Sequence, residues 1–206
     1  IMPSLVGSEM CIRDRNGTFL SFFESGWKHI ADIHAYDHLL FVMTLCAAFK
    51  LTQWKQVLVI ITAFTIGHSV TLILSALSFI PSNTSIIEVI IPFTIMITSI
   101  SNIKNDQKEG NFSNRNMKYF IALCFGLIHG LAFASNFKIM IFGGNIILPL
   151  FAFNLGIEIG QIFIVGLFML LLYFYSNILR GDHLKWNTFV SGAGFGIATT
   201  IFINAF

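Results

Sequence analysis

The chain has 206 residues, 55% hydrophobic and 11% charged, with a formal net charge of +2 and a mean hydropathy of +0.78. An ordinary soluble domain carries about 25% charged residues, so the composition excludes a water-soluble globular protein and points to the bilayer. A positive charge this small, spread over short loops, gives no reason to expect nucleic acid as a partner.

Residues 1–15, "IMPSLVGSEMCIRDR", lack the apolar stretch of a signal peptide and read as a non-native or disordered tail, in the manner of a translated sequencing adaptor. Residues 16–206 read as one transmembrane domain. A span needs about 20 predominantly apolar residues. Runs of that kind lie at 57–80, 86–103, 119–137, 146–175 and 186–206, and a weaker one at 33–49. Alternating ~10-residue segments, the mark of a membrane barrel, are absent. The expectation is an all-α membrane protein, a polytopic bundle of about six transmembrane helices.

Loop charges orient it. Lys50, Lys55, Lys104, Lys108, Arg115, Lys118, Arg180 and Lys185 fall on one side, against Lys28 and Lys138, with Arg13 and Arg15 of the tail, on the other. The positive-inside rule then predicts a multi-pass plasma-membrane protein with both termini outside.

Polar residues interrupt the apolar runs: His34, Asp37 and His38 at the start of the first, His68, Glu88 and His129 in the next three, and Asn154, Glu158 and Gln161 in the fifth. Each ionisable group near the bilayer centre costs about 2.5–3.5 kcal/mol on insertion scales, which makes each a candidate for function. Asn154, Glu158 and Gln161 share one helical face. At ~1.5 Å per residue the groups descend from the outer surface to the midplane, suggesting an outward-open, dead-ended ligand path. His29 and Asp32 read as interfacial, and His183 as a surface residue of a cytoplasmic loop. Neutral imidazole with carboxylate oxygen and no thiolate suits a divalent transition metal such as nickel, cobalt, zinc or iron. Cys46 and Cys124 stand in no metal-ligand or redox spacing.

"GLIHG" (126–130) and "GIEIG" (156–160) are GxxxG patterns, and "GAGFG" (192–196) gives the last helix a smooth face. They predict close helix contacts, within the chain or in a homo-oligomer. Pro92 is expected to kink its helix.

In order along the chain, "GWKHIADIHAYDHLLFV" (26–42), "AFTIGHSVTL" (63–72), "IEVIIPFTI" (87–95), "FGLIHGLAFA" (125–134) and "FNLGIEIGQ" (153–161) resemble the HupE/UreJ family of small integral membrane proteins. The resemblance implies movement of nickel or cobalt across a bacterial inner membrane, with the motif positions at His29, Asp37, His38, His68, His129 and Glu158. Two rival readings use the same residues. One is an intramembrane zinc-dependent hydrolase with Ser69 as oxyanion helper and Asp37 or Glu158 as base. The other is an accessory scaffold whose polar groups only fix packing.

Overall fold

In the computed structural model, residues 4–32, 36–79, 84–106, 115–141 and 146–205 are described, with the side chains of 4–17, 36, 84–85, 105–106 and 115–117 set aside. Among them the chain is all helical: α1 (Ser4–Ala31), α2 (Tyr36–Ala47), α3 (Trp54–Ala76), α4 (Thr84–Asp106), α5 (Arg115–Met140), α6 (Ile147–Tyr173) and α7 (His183–Asn204). A 3-10 turn, Leu51–Gln53, leads into α3, and a π-helical turn, Phe174–Ile178, extends α6.

Four segments are long and apolar enough to cross a bilayer: Leu51–Ala76, Ile86–Lys104, Lys118–Met140 and Ile147–Ile178. The weak run at 33–49 yields only the 12-residue α2. At ~1.5 Å per residue this helix covers about 18 Å, short of a ~30 Å hydrocarbon core. The helix that sequence reading missed is α1. Its polar Glu24, Lys28 and His29 hide the apolar face formed by Phe22, Phe23, Trp27 and Ile30, and it runs back through Ser4 into the segment read as a tail. Pro92 lies inside α4 without ending it.

Contacts give each helix its direction. Phe19 meets Phe151, Gly26 lies on the Phe153 carbonyl and Ile30 on Gly160, so α1 runs parallel to α6 and ends near the middle of α6. From the same level α2 runs on, with Phe41 against Phe64 and Phe125 and with the Thr44 carbonyl accepting from Asn102 Nδ2 at 2.7 Å. Just beyond α2, the Phe49 carbonyl binds His183 Nε2 at 3.1 Å and the Phe49 ring lies under Lys118. His183 is therefore a half-buried tie between the α2 end and α7, not a free surface residue. The 28-residue α1 and the 12-residue α2 thus follow one another in series where the sequence suggested one helix.

Close backbone approach is set by glycine. A Cβ on Gly126 would overlap the Phe64 carbonyl, one on Gly130 the His68 backbone and Thr71 hydroxyl, and one on Gly67 the Leu123 carbonyl. Both sequence-predicted GxxxG motifs are consumed inside the chain, Gly126 and Gly130 against α3, Gly156 and Gly160 against α1. Gly192 and Gly196 of α7 face open space.

Gly130→Leu should therefore cost more than the ~1–3 kcal/mol typical of overpacking, because the clash is with backbone. Melting in detergent should show a large loss of folded protein for Gly130→Leu and little for Gly192→Leu.

Candidate metal-binding site

Four histidines meet where α1 ends and α2 begins. Ring centroids are 5.8 Å apart for His68 and His29, 4.7 Å for His29 and His38, and 4.9 Å for His38 and His129. Glycine puts them there. Gly67 and Gly130, the sequence neighbours of His68 and His129, let α3 and α5 touch, while Gly26 and Gly156 draw α1, and with it His29, onto α6.

Phenyl rings wall the cluster from water. Phe133 and Phe153 cover His29 at 4.1 and 5.7 Å, and Phe41 and Phe64 each cover His129 at 5.3 Å. His68 and His129 are fully buried and His38 is 4% exposed.

Hydrogen bonds fix the tautomers of two rings. His129 Nδ1 is 3.0 Å from the Phe125 carbonyl, which can only accept, so Nδ1 carries the proton. His38 Nδ1 lies 3.0 Å from Asp37 Oδ1, an acceptor when ionised. Both rings then present a bare Nε2, the arrangement by which a carboxylate or carbonyl behind an imidazole orients it for an ion. No hydrogen bond is formed by Nε2 of His29, His38 or His129, nor by either ring nitrogen of His68. Asn154 stands beside His68 with its own Oδ1 unpartnered.

The remaining expectations separate. Asp37 sits behind His38, part-exposed. Glu158 accepts from Thr62 Oγ1 at 2.7 Å and Gln161 from Thr65 Oγ1 at 3.0 Å, both on the α3–α6 contact below His68. Glu88 is exposed on α4. His34 lies outside the described residues. Ser69 donates to the Thr65 carbonyl at 2.7 Å, so its hydroxyl serves its own helix. The polar groups do not descend in steps from the surface: His29, His38, His68 and His129 share one level, because α2 begins deep in the bundle. Among the described residues, no three His, Cys, Asp or Glu side chains are arranged closely enough to hold an ion as they stand.

A second buried polar group escaped the sequence reading. Asn102 of α4 also donates to Ser191 Oγ at 3.2 Å, Ser191 donates to Asn187 Oδ1 at 3.1 Å, and Asn187 Nδ2 returns to the Asn102 carbonyl at 3.3 Å. Its signal was the polar spacing Thr94, Thr98, Asn102 on α4 facing Asn187, Ser191 on α7. These neutral groups satisfy one another and tie α2, α4 and α7 together.

With the geometry in place, comparison with known proteins identifies the chain's relatives. The sequence model described as HupE / UreJ protein matches residues 8–205. The chain belongs to the HupE/UreJ family. Neither a curated protein nor a solved structure matches it. The match takes in the four histidines and begins inside the segment that sequence reading set aside.

Asp37→Asn should weaken metal binding by about 10–100-fold while leaving the fold intact, since it removes the carboxylate that holds the His38 ring in place. Titration of purified protein with nickel measures it, with His183→Ala as an unaffected control.

Proposed function

We propose that this protein carries a divalent transition-metal ion, nickel or cobalt in preference to zinc, across a bacterial inner membrane through its histidine cluster. The observation that supports this best is the set of unpartnered imidazole nitrogens buried at one level of an apolar bundle. A buried polar group without a partner costs ~1–3 kcal/mol, and His68 alone leaves two such atoms. An ion removes that cost for several rings together.

Spacing agrees with ligation. Two imidazoles sharing one ion at ~2.1 Å have ring centroids about 4.5–5.3 Å apart for angles of 90–109°. The His29–His38 and His38–His129 pairs, at 4.7 and 4.9 Å, fall in that range, and His29–His68 at 5.8 Å is slightly wider. Imidazole suits nickel, cobalt and zinc alike, and the HupE/UreJ resemblance favours the first two. Asn154, Glu158 and Gln161 take part through the α3–α6 contact, and Glu88 from the outer end of α4.

The broken pair α1–α2 counts as one crossing, and α3 to α7 add five. Both termini then lie outside and the basic loops face the cytoplasm. Discontinuous helices meeting near the midplane are a recurrent transporter device. With the GxxxG motifs of α5 and α6 taken, Gly192 and Gly196 offer a surface for a homo-oligomer.

Nickel or cobalt uptake into proteoliposomes, with bound metal measured on the same preparation, tests the reading. His38→Ala and His129→Ala should each nearly abolish both, and the double variant should be little worse than either, because ligands of one ion fail together. Stoichiometric zinc with hydrolysis and no flux would replace transport with the enzyme reading; full metal content in the variants, with additive losses of stability only, would leave a scaffold. Binding should weaken on acidification, since protons compete with metal for the same nitrogens.

Orientation has its own check. A cysteine introduced in the 104–116 loop should be shielded from a membrane-impermeant thiol reagent in intact cells, and one beside Lys138 labelled. The reverse pattern would invert the topology.

A further inference from the structure

The α3–α6 contact has an outer face that the histidine cluster does not use. Thr62 of α3 is exposed there and Glu158 of α6 half-buried, with the Thr62 hydroxyl donating to Glu158 Oε1 at 2.7 Å. Val59, Ile66, Ile159 and Ile162 around them are exposed apolar side chains, so the pair lies in a surface suited to hydrocarbon. Its depth sharpens the conflict. At ~1.5 Å per residue, Thr62 and Glu158 each stand roughly 17 Å inside the nearer end of their spans, Leu51–Ala76 and Ile147–Ile178, near the middle of a ~30 Å core.

A carboxyl group at that depth normally faces the bundle interior or pairs with a cation. Among the described residues the ion pairs are Lys28–Glu24 and Asp37–His38, and Glu158 bonds Thr62 alone, through one of its two oxygens. Acyl chains can cover the surrounding isoleucines but offer no hydrogen bond to the other oxygen. The surface on either side is open as well. Toward Leu77 a groove of about 740 Å³ lies between Ile73 and Leu150, and toward Trp54 one of about 180 Å³ lies between Leu58 and Ile162, both lined almost wholly by apolar side chains. Gly166 lines the smaller groove, and a Cβ there would meet nothing within 4 Å. A polar pair flanked by apolar hollows suits a helix–helix interface inside a membrane, where packing supplies the contact and interhelical hydrogen bonds add to it.

We propose that the outer face of the α3–α6 contact, centred on Thr62 and Glu158, is a docking surface for a second copy of this chain. The inference goes beyond the transport reading and does not rest on it. Self-complementarity selects a second copy over another partner. Donor and acceptor lie side by side, so a two-fold axis through the pair sets each carboxyl group against the hydroxyl and carboxyl of the other copy and takes all of them out of the hydrocarbon. The exposed isoleucines beside the pair are knobs, and the groove at Gly166 is a hollow of the kind they fill. On α7, by contrast, the stretch 186–206 that holds Gly192 and Gly196 carries no ionisable side chain, so that face has no polar group that needs cover.

Sedimentation equilibrium of the full-length protein in a density-matched detergent reads the association directly. The unaltered chain should dimerise. Glu158→Leu should raise the dissociation constant roughly 3–20-fold, the worth of an interhelical hydrogen bond in a membrane. Gly166→Phe, whose first side-chain carbon meets nothing in its own chain, should raise it by more than about tenfold, because the added ring occupies the hollow that the other copy fills. A chain that stays monomeric at every concentration, with or without added phospholipid, would leave the face to lipid and overturn the proposal. Weakening by Gly192→Phe with none by Gly166→Phe would place the contact on α7 and overturn it too. Should Glu158→Leu fail to fold, Gly166→Phe decides alone. Nickel enters none of these measurements, so loss of the dimer leaves the transport reading untouched, and a dimer that carries no nickel overturns that reading alone.

Discussion

Inside a bundle that excludes water, an imidazole nitrogen must find its partner in the protein or in a ligand. His68 and His129 have none of their surface exposed, and phenyl rings occupy the space where water would stand. The backbone and Asp37 satisfy one nitrogen each of His129 and His38. Nε2 of His29, His38 and His129 and both ring nitrogens of His68 are left without a partner in the protein, and a cation is the kind of ligand proposed above to meet several of them at once. Much of the architecture serves this requirement.

Glycine makes the cluster unavoidable. With a Cβ at Gly67, Gly126 or Gly130, α3 and α5 would stand farther apart and His68 and His129 could not both lie against the rings of α1 and α2. The same logic draws α1 onto α6 through Gly26, Gly156 and Gly160. Packing energy gained in these close contacts offsets the cost of leaving imidazoles unsatisfied. A bound ion would then stabilise the fold by mass action.

The apolar runs made the helical class and four of the spans readable, because hydropathy over 20 residues reports directly on the bilayer. The glycine motifs foretold close contacts, and the histidines were visible as costly groups in oil. What failed was position. Reading 33–49 as a full span placed Asp37 and His38 near the surface, whereas they begin a half-helix deep in the bundle. The amphipathic α1 was missed since Glu24, Lys28 and His29 dilute its hydropathy, although Trp27 and Ile30 bury the other face. His29 consequently read as interfacial on residue grounds, and only the family resemblance put it among the site positions. Glu158 looked equivalent to the histidines in one dimension; which face of α6 meets which residue of α3 is a tertiary fact that no single-helix pattern contains. The Asn102–Asn187–Ser191 network was missed for the same reason, being unremarkable on either helix alone.

The central claim is that imidazoles from α1, α2, α3 and α5 converge on one ion. X-ray absorption on nickel-loaded, detergent-purified protein tests it most directly, because imidazole rings leave a multiple-scattering signature that carboxylate and water do not. The account predicts at least three nitrogen ligands of imidazole type near ~2.1 Å, with the count falling in His129→Ala. A shell of oxygen ligands without imidazole scattering, in protein that nonetheless binds nickel, would contradict it.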